Sequence, residues 1–137
     1  MNVQRPELAY VTAEELVAYL RTDREGTVVL DVRDSDFNDL GHIAGCLNLS
    51  AWLLLSGGGT LDHFIQTHLR RSRTRRVVVH CFLSMQRGPS VAHRLVERLQ
   101  QLEDPLLLSP DDVYILKRGF RAFYSAFKSE KDLVVVC

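Results

Sequence analysis

The chain has 137 residues, 46% hydrophobic and 25% charged, with no net charge. That composition fits one globular domain, 1–137, and is too short for two cores. Zero net charge gives no footing for a general nucleic-acid role or for a membrane surface. No apolar run reaches the length of a membrane span, and Met1 to Pro6 do not read as a signal peptide.

Thr12-Ala13-Glu14-Glu15 has the spacing of a capping box. It predicts a short helix to about Arg21, with Leu16, Val17 and Leu20 on one apolar face and Gly26 as the break. Val28 to Val32 is apolar throughout, as expected of a parallel strand buried on both faces. Ser35 to Leu40 is expected to make one helical turn ended by Gly41, and Gly45 to Leu49 a short extended segment. The Gly57-Gly58-Gly59 run lacks the Lys-Ser/Thr of a nucleotide phosphate loop and reads as a flexible connection. Thr60 is expected to cap a helix carrying Leu61, Phe64, Ile65 and Leu69.

Arg70, Arg71, Arg73, Arg75 and Arg76 then read as a solvated helix C-terminus, where cations are favoured; the sharper alternative is a patch for an anionic partner. Arg76 to His80 is the expected central strand. Pro89 to about Leu102 is the best amphipathic helix, with Val91, Ala92, Leu95, Val96, Leu99 and Leu102 on one face. After a loop from Asp104 to Asp112, Val113 to Leu116 reads as a buried strand and Gly119 to about Lys128 as a helix packing Phe120, Phe123, Tyr124 and Phe127. Leu133 to Val136 ends the chain as a strand or a loose tail. Strands alternating with helices predict an α/β fold with a central, mainly parallel sheet flanked by helices. In such folds the loop after a central strand is a binding position.

That loop is Cys81-Phe82-Leu83-Ser84-Met85-Gln86-Arg87, followed by Gly88-Pro89. A cysteine after an apolar strand can be an ordinary small core residue. Here the polar Ser84 and Gln86, a glycine permitting close approach and a proline suited to a first helical turn give the segment another character. A loop with inward N–H groups, a helix N-terminus and an arginine fork together form an oxyanion cradle. The same field favours the anionic form of the Cys81 sulfur, so Cys81 is the candidate nucleophile.

Four segments in order resemble the rhodanese-like superfamily: Asp31-Val32-Arg33-Asp34, Gly41-His42-Ile43-Ala44-Gly45 with Leu47-Asn48, the cysteine loop, and Leu116-Lys117-Arg118-Gly119-Phe120. The resemblance implies a central parallel sheet with the cysteine loop as active site. Sulfurtransferases of that superfamily have four residues between the cysteine and a basic residue; here five intervene, which suits phosphate or arsenate. His80, Cys81, Ser84, Arg87, Gly88 and Pro89 look like those of the small eukaryotic arsenate reductases related to the cell-division-cycle dual-specificity phosphatases. Phosphatase loops of that group commonly carry acidic residues, whereas this loop has none. The chain as given also lacks the long regulatory and docking extensions of the cell-cycle enzymes.

The resemblance therefore implies reduction of arsenate to arsenite by Cys81 and Arg87. Phe82, Leu83, Ser84, Met85, Gln86 and Arg87 would bind the oxyanion. Glutathione would serve as co-substrate, with no bound cofactor or metal, and glutaredoxin as partner. A dual-specificity or tyrosine phosphatase is the second expectation, although no residue beside the loop is an evident general acid for it. A non-catalytic rhodanese-like binding module is the third, and the intact Cys81/Arg87 pair argues against it. Asp31, Arg33 and His42 are expected either to tune the site or to hold its loops by hydrogen bonds, and Gly88 to allow close approach. Ser84 would orient the thiolate, donate to the oxyanion, or simply close the loop. Strand alternation points His80 away from Cys81.

Cys46 is expected to be packing, and Cys137 to be a loose terminus or a resolving thiol for Cys81. The arginine cluster would face glutathione or an acidic protein if it binds a partner. Phe82, Leu83 and Met85 would offer an apolar contact to glutaredoxin unless one of them is buried beneath the loop. Three cysteines without metal-site spacing suit a reducing compartment, the cytoplasm or nucleus.

Overall fold

Strands that are apolar on both sides must be covered on both sides, and the sheet is built accordingly. The computed structural model describes residues 7–70, 73–103 and 106–136; the expectations for Met1 to Pro6, Arg71, Asp104, Pro105 and Cys137 lie outside them. Along the chain come β1 (Ala9–Val11), α1 (Ala13–Thr22), β2 (Thr27–Asp31), β3 (His42–Ile43), β4 (Leu47–Asn48), α2 (Ala51–Leu55) and α3 (Thr60–Phe64). They are followed by β5 (Arg76–His80), α4 (Arg87–Gln100), β6 (Val113–Leu116), α5 (Gly119–Phe127) and β7 (Val134–Val135). The main sheet is parallel in the order β1-β6-β5-β2-β4, with β5 at its centre.

Period-two alternation along β5 divides the core. Val77, Val79 and then Cys81 face the layer formed by α2, α3 and α4. Val78 faces the opposite layer, formed by α1 and α5 with Leu16, Leu20, Phe120 and Phe123. The amphipathic face of α4 is buried as its sequence predicts, through Val91, Ala92, Leu95, Val96 and Leu99. At α1 the capping box is complete: Glu15 N donates to Thr12 Oγ1 at 3.1 Å and Thr12 N to Glu15 Oε1 at 3.0 Å. Among the described residues no helix is long and apolar enough to cross a membrane.

Several local expectations are corrected. Residues 35–40 form successive turns instead of a helical turn, because Ser35 to Leu40 bury little apolar surface; Phe37, Asp39 and Gly41 N–H groups donate three residues back. Gly59, not Thr60, is the cap of α3, which runs on as a wider helical turn over Ile65–Leu69. The helix expected from Pro89 starts at Arg87. Arg76 does not belong to a helix terminus: it opens β5, donates to Asp23 Oδ2 and Thr27 Oγ1 at 2.9 Å each, and lies 4.3 Å above the Tyr19 ring. The terminal segment resolves as a strand, with β7 pairing antiparallel with β3.

One buried ion pair fixes the path from β2 to β3. Arg33 and Asp31 have no exposed side-chain surface. Arg33 Nη2 donates to Asp31 Oδ2 at 2.8 Å and to the Gly41 carbonyl at 2.8 Å, and Nη1 to the Asp39 carbonyl at 3.0 Å. The guanidinium lies 4.6 Å from the centroid of the Phe120 ring. Removing one member strands the other charge, which costs far more than removing both. Arg33→Met is therefore expected to destabilise the protein by about 3–5 kcal/mol in urea unfolding, with part of that loss recovered in the Asp31→Asn/Arg33→Met double variant.

Candidate active site

Cys81 leaves the carboxyl edge of β5, and its loop is held from outside by α5. Phe120 N donates to the Cys81 carbonyl and Arg121 N to the Phe82 carbonyl, each at 3.0 Å. These are N–H groups that a helix start leaves without intrahelical partners. With its carbonyls drawn outward, the loop turns amides inward: Ser84 N donates to Cys81 Sγ at 3.2 Å and Gly88 N at 3.4 Å. Two amide dipoles thus converge on the sulfur and complement negative charge there. Among the described residues, nothing accepts a hydrogen bond from the N–H groups of Phe82, Leu83, Met85 or Gln86. Donors left without partners beside the sulfur suit an anion with several oxygens.

Access to this arrangement depends on Gly119. Its φ is +67°, and a Cβ there would stand 2.4 Å from the Phe82 carbonyl oxygen and 2.7 Å from that of Cys81. Ser84, at φ +54°, is buried with its hydroxyl unpartnered. A Cβ on Gly88 would lie 3.4 Å from Cys81 N, so backbone approach is close there also.

Asp36, Cys81, Phe82, Leu83, Met85, Gln86 and Arg87 line a cavity of about 400 Å³. Asp36 is the member that the sequence reading missed. Arg87 donates from Nη1 to Asp36 Oδ1 at 2.7 Å and from Nη2 to Asp36 Oδ2 at 2.8 Å, with Asp34 Oδ2 at 3.3 Å from Nη1. The Arg87 fork holds the Asp36 carboxyl below its usual range. Asp34 is lowered too, chiefly by the Ser50 hydroxyl, which donates at 2.5 Å. A signal was present in the sequence: β2 and β5 are adjacent parallel strands, so Asp34-Ser35-Asp36 and the cysteine loop leave the same sheet edge.

The other expected site residues separate into those at the cavity and those behind it. Asp31, Arg33 and His42 do not line the cavity. His42 stacks on Phe37 with ring centroids 4.9 Å apart, in the small β3–β7 sheet. His80 lies on the face opposite Cys81, stacks on Phe120, and donates from Nδ1 to the Cys81 carbonyl at 3.1 Å. Burial depresses its basicity, keeping it neutral beside Asp31. Phe82 is partly buried in the α1/α5 layer, whereas Leu83 and Met85 are exposed. Cys46 packs against that same layer, and burial pushes its thiol up to about 12.

Comparison with known proteins agrees with this geometry. Residues 12–126 match the rhodanese-like domain, and the chain belongs to that family. It is 31% identical over 122 residues to "Dual specificity phosphatase Cdc25" of Arabidopsis thaliana, covering 88% of this chain and 76% of the relative. It is also 31% identical over 116 residues to "Arsenate reductase 2.2" of Oryza sativa subsp. japonica, covering 85% and 82%. Yeast Ygr203w, a protein tyrosine phosphatase of the rhodanese family, superposes with a TM-score of 0.77 at 26% identity over 96% of this chain and 93% of its own. The As-Sb reductase of Leishmania major gives 0.72 at 25% identity, over 95% and 86%. The chain spans 22% of the length of the larger M-phase inducer phosphatases of Xenopus laevis that it also matches. Enzymes of both kinds are therefore its relatives, and the relatives act on oxyanion substrates such as phosphate or arsenate.

Gly119→Ala tests whether α5 shapes the loop. Gly57 also has a positive φ, +78°, but an added Cβ there meets nothing within 4 Å. Gly57→Ala is thus expected to cost only the backbone strain of about 1–2 kcal/mol. Gly119→Ala should add to similar strain a loss of Cys81-dependent turnover of roughly 100-fold, since the loop must shift by a fraction of its own hydrogen-bond lengths. Equal turnover in the two variants would show that the loop does not rely on α5.

Thiol labelling separates Cys46 from Cys81, the two cysteines among the described residues. Because burial raises the Cys46 thiol to about 12, its thiolate is scarce until strongly alkaline pH. Iodoacetamide near neutral pH should modify Cys81 and spare Cys46 in peptide mass maps, with arsenate or phosphate slowing the Cys81 reaction. Labelling of Cys46 at the Cys81 rate would contradict the assignment.

Proposed function

We propose that the protein is an arsenate reductase that uses Cys81 as nucleophile and glutathione as reductant. The Cys81 thiolate attacks arsenic and displaces one oxygen as water, leaving a covalent thiol–arsenate adduct. Arg87 and the loop N–H groups of Phe82 to Gln86 stabilise the charge on the remaining oxygens. Glutathione then attacks the Cys81 sulfur: a sulfur–sulfur bond forms, the sulfur–arsenic bond breaks, and its electron pair stays on arsenic, which leaves as arsenite. A glutaredoxin thiolate then takes the glutathionyl group from the mixed disulfide and releases Cys81 as thiolate, and a second glutathione frees the glutaredoxin as glutathione disulfide. Asp31 and Arg33 contribute by holding the turn that carries Asp36, and Ser84 by its amide to the sulfur.

The observation that carries this choice is the ionised Asp36. Among the described residues that line the cavity it is the only carboxylic acid, and the Arg87 fork keeps its proton off. Hydrolysis of a phosphate ester needs a proton for the leaving alkoxide, and Asp36 held in this way is a poor donor. Arsenate brings protons on its own oxygens and exchanges them readily. The reductase relatives in rice and Leishmania support the same reading.

A dual-specificity or tyrosine phosphatase is the second reading, favoured by the Arabidopsis and yeast relatives. The deciding experiment is a paired assay of the purified protein with Cys81→Ser as control. One arm follows NADPH oxidation with arsenate, glutathione, glutaredoxin and glutathione reductase; the other follows aryl phosphate hydrolysis. Cys81-dependent arsenate turnover with hydrolysis at least about 100-fold weaker in kcat/KM is expected. Robust Cys81-dependent hydrolysis without arsenate turnover would make the protein a phosphatase.

A further inference from the structure

Beside the Cys81 cavity lies a second concavity of about 620 Å³, which shares its walls Leu83 and Met85 with the first. Its other wall is α5, with Ala122, Ser125 and Ala126, and its rim carries Arg118 and Arg121. Both arginines are exposed, and among the described residues neither side chain has an acidic or hydrogen-bonding partner. That contrasts with Arg21, Arg33, Arg76, Arg87 and Arg98, all of which meet carboxylates.

Two cations at a helix start oppose the helix dipole, and the first turn of α5 carries no acid to offset them. Fold stability therefore does not account for these charges. Nor does packing explain Met85, three-quarters exposed at 75%, or Leu83 at 41%. An apolar floor with small side chains, a cationic rim and a shared wall with a nucleophilic sulfur define the occupant by complementarity. It should be small, extended and rich in carboxylates, and should bring a reactive group across Leu83 and Met85 to Cys81. The volume suits a molecule of tripeptide size.

We propose that this groove is the glutathione site: Arg118 and Arg121 take the two carboxylates, and the cysteinyl sulfur reaches Cys81 over Leu83 and Met85. The inference rests on the reductase reading for its biological sense, but not for its test. In the attack itself the glutathione thiolate bonds to Cys81 Sγ, and the electron pair of the sulfur–arsenic bond departs with arsenic, as described above. Holding the carboxylates on the α5 side places the incoming sulfur opposite the cradle, where arsenic is bound. Arg118 and Arg121 are thus specificity residues for the thiol and touch neither oxyanion nor adduct.

The test uses S-methylglutathione, which cannot react, and the Cys81→Ser protein. Titration followed by amide NMR should be saturable, with shifts concentrated at Leu83, Met85, Arg121, Ala122 and Ser125. Affinity should fall about tenfold in the Arg118→Gln/Arg121→Gln variant and weaken with added salt. Unchanged thermal unfolding of that variant would separate lost binding from lost fold. In turnover with native Cys81, the same pair should raise KM for glutathione about tenfold.

Absence of saturable binding, binding unaffected by the double variant, or equal binding of hexaglutamate would overturn the glutathione assignment; the last would show a surface for acidic chains in general. Because the binding arm contains no arsenate, failure of arsenate turnover alone would count against the reductase reading and leave the groove standing.

Discussion

Two amides at the start of α5 set the geometry of the Cys81 loop. A peptide loop can aim its N–H groups at an anion only if something else accepts responsibility for its carbonyls. Here Phe120 and Arg121 take the carbonyls of Cys81 and Phe82, using donors that the helix geometry leaves spare. The adjacent Gly119 is the only residue type that lets the helix come so close. Cys81 and its clamp lie about forty residues apart in the chain and are brought together because β5 and β6 are neighbours in the sheet.

Behind that clamp the Phe120 ring joins two buried polar systems. Arg33 lies above one part of its surroundings through its guanidinium, and His80 stacks against it. His80 then contacts the same Cys81 carbonyl that Phe120 N holds. Asp31, fully buried, lies 2.8 Å from Arg33 Nη2 and 3.8 Å from His80 Nε2. The result is a rigid support in which the loop bearing Cys81 rests on an aromatic ring, and the ring rests on an ion pair. Rigidity of this kind is what an oxyanion site needs, because its dipoles must already be aligned when charge develops.

Much of this was legible in the residues. Long periodic or wholly apolar segments declared themselves: Thr12-to-Glu15 capping, the β2, β5 and β6 runs, and the α4 stripe all depend on local chemistry or on burial that a sequence records directly. The cysteine loop with Arg87 was readable for the same reason. Short elements were not. The strands β1 and β3 have three and two residues, too few for a period, and exist because a neighbour completes them, whereas β7 falls within the ending that could be read as a strand. The helix α2 is a single turn and a half capped by Ser50, which also serves Asp34. Asp36 was missed because its meaning lies in proximity to Arg87, a relation between adjacent parallel strands and not between neighbours in sequence. Arg76 was misread for the opposite reason, since a run of arginines looks like one feature, whereas one of them is packed on Tyr19 between Asp23 and Thr27.

The clamp has a temporal consequence. As the chain is made from its amino end, Cys81 appears well before Gly119, Phe120 and Arg121. Until those residues have emerged and α5 has docked, the carbonyls of Cys81 and Phe82 have no amides to hold them, and the loop has no reason to turn its N–H groups inward. The surroundings of Cys81 are conferred late, by the last helix to arrive, so an unfinished chain carries the sulfur without the loop geometry that will enclose it.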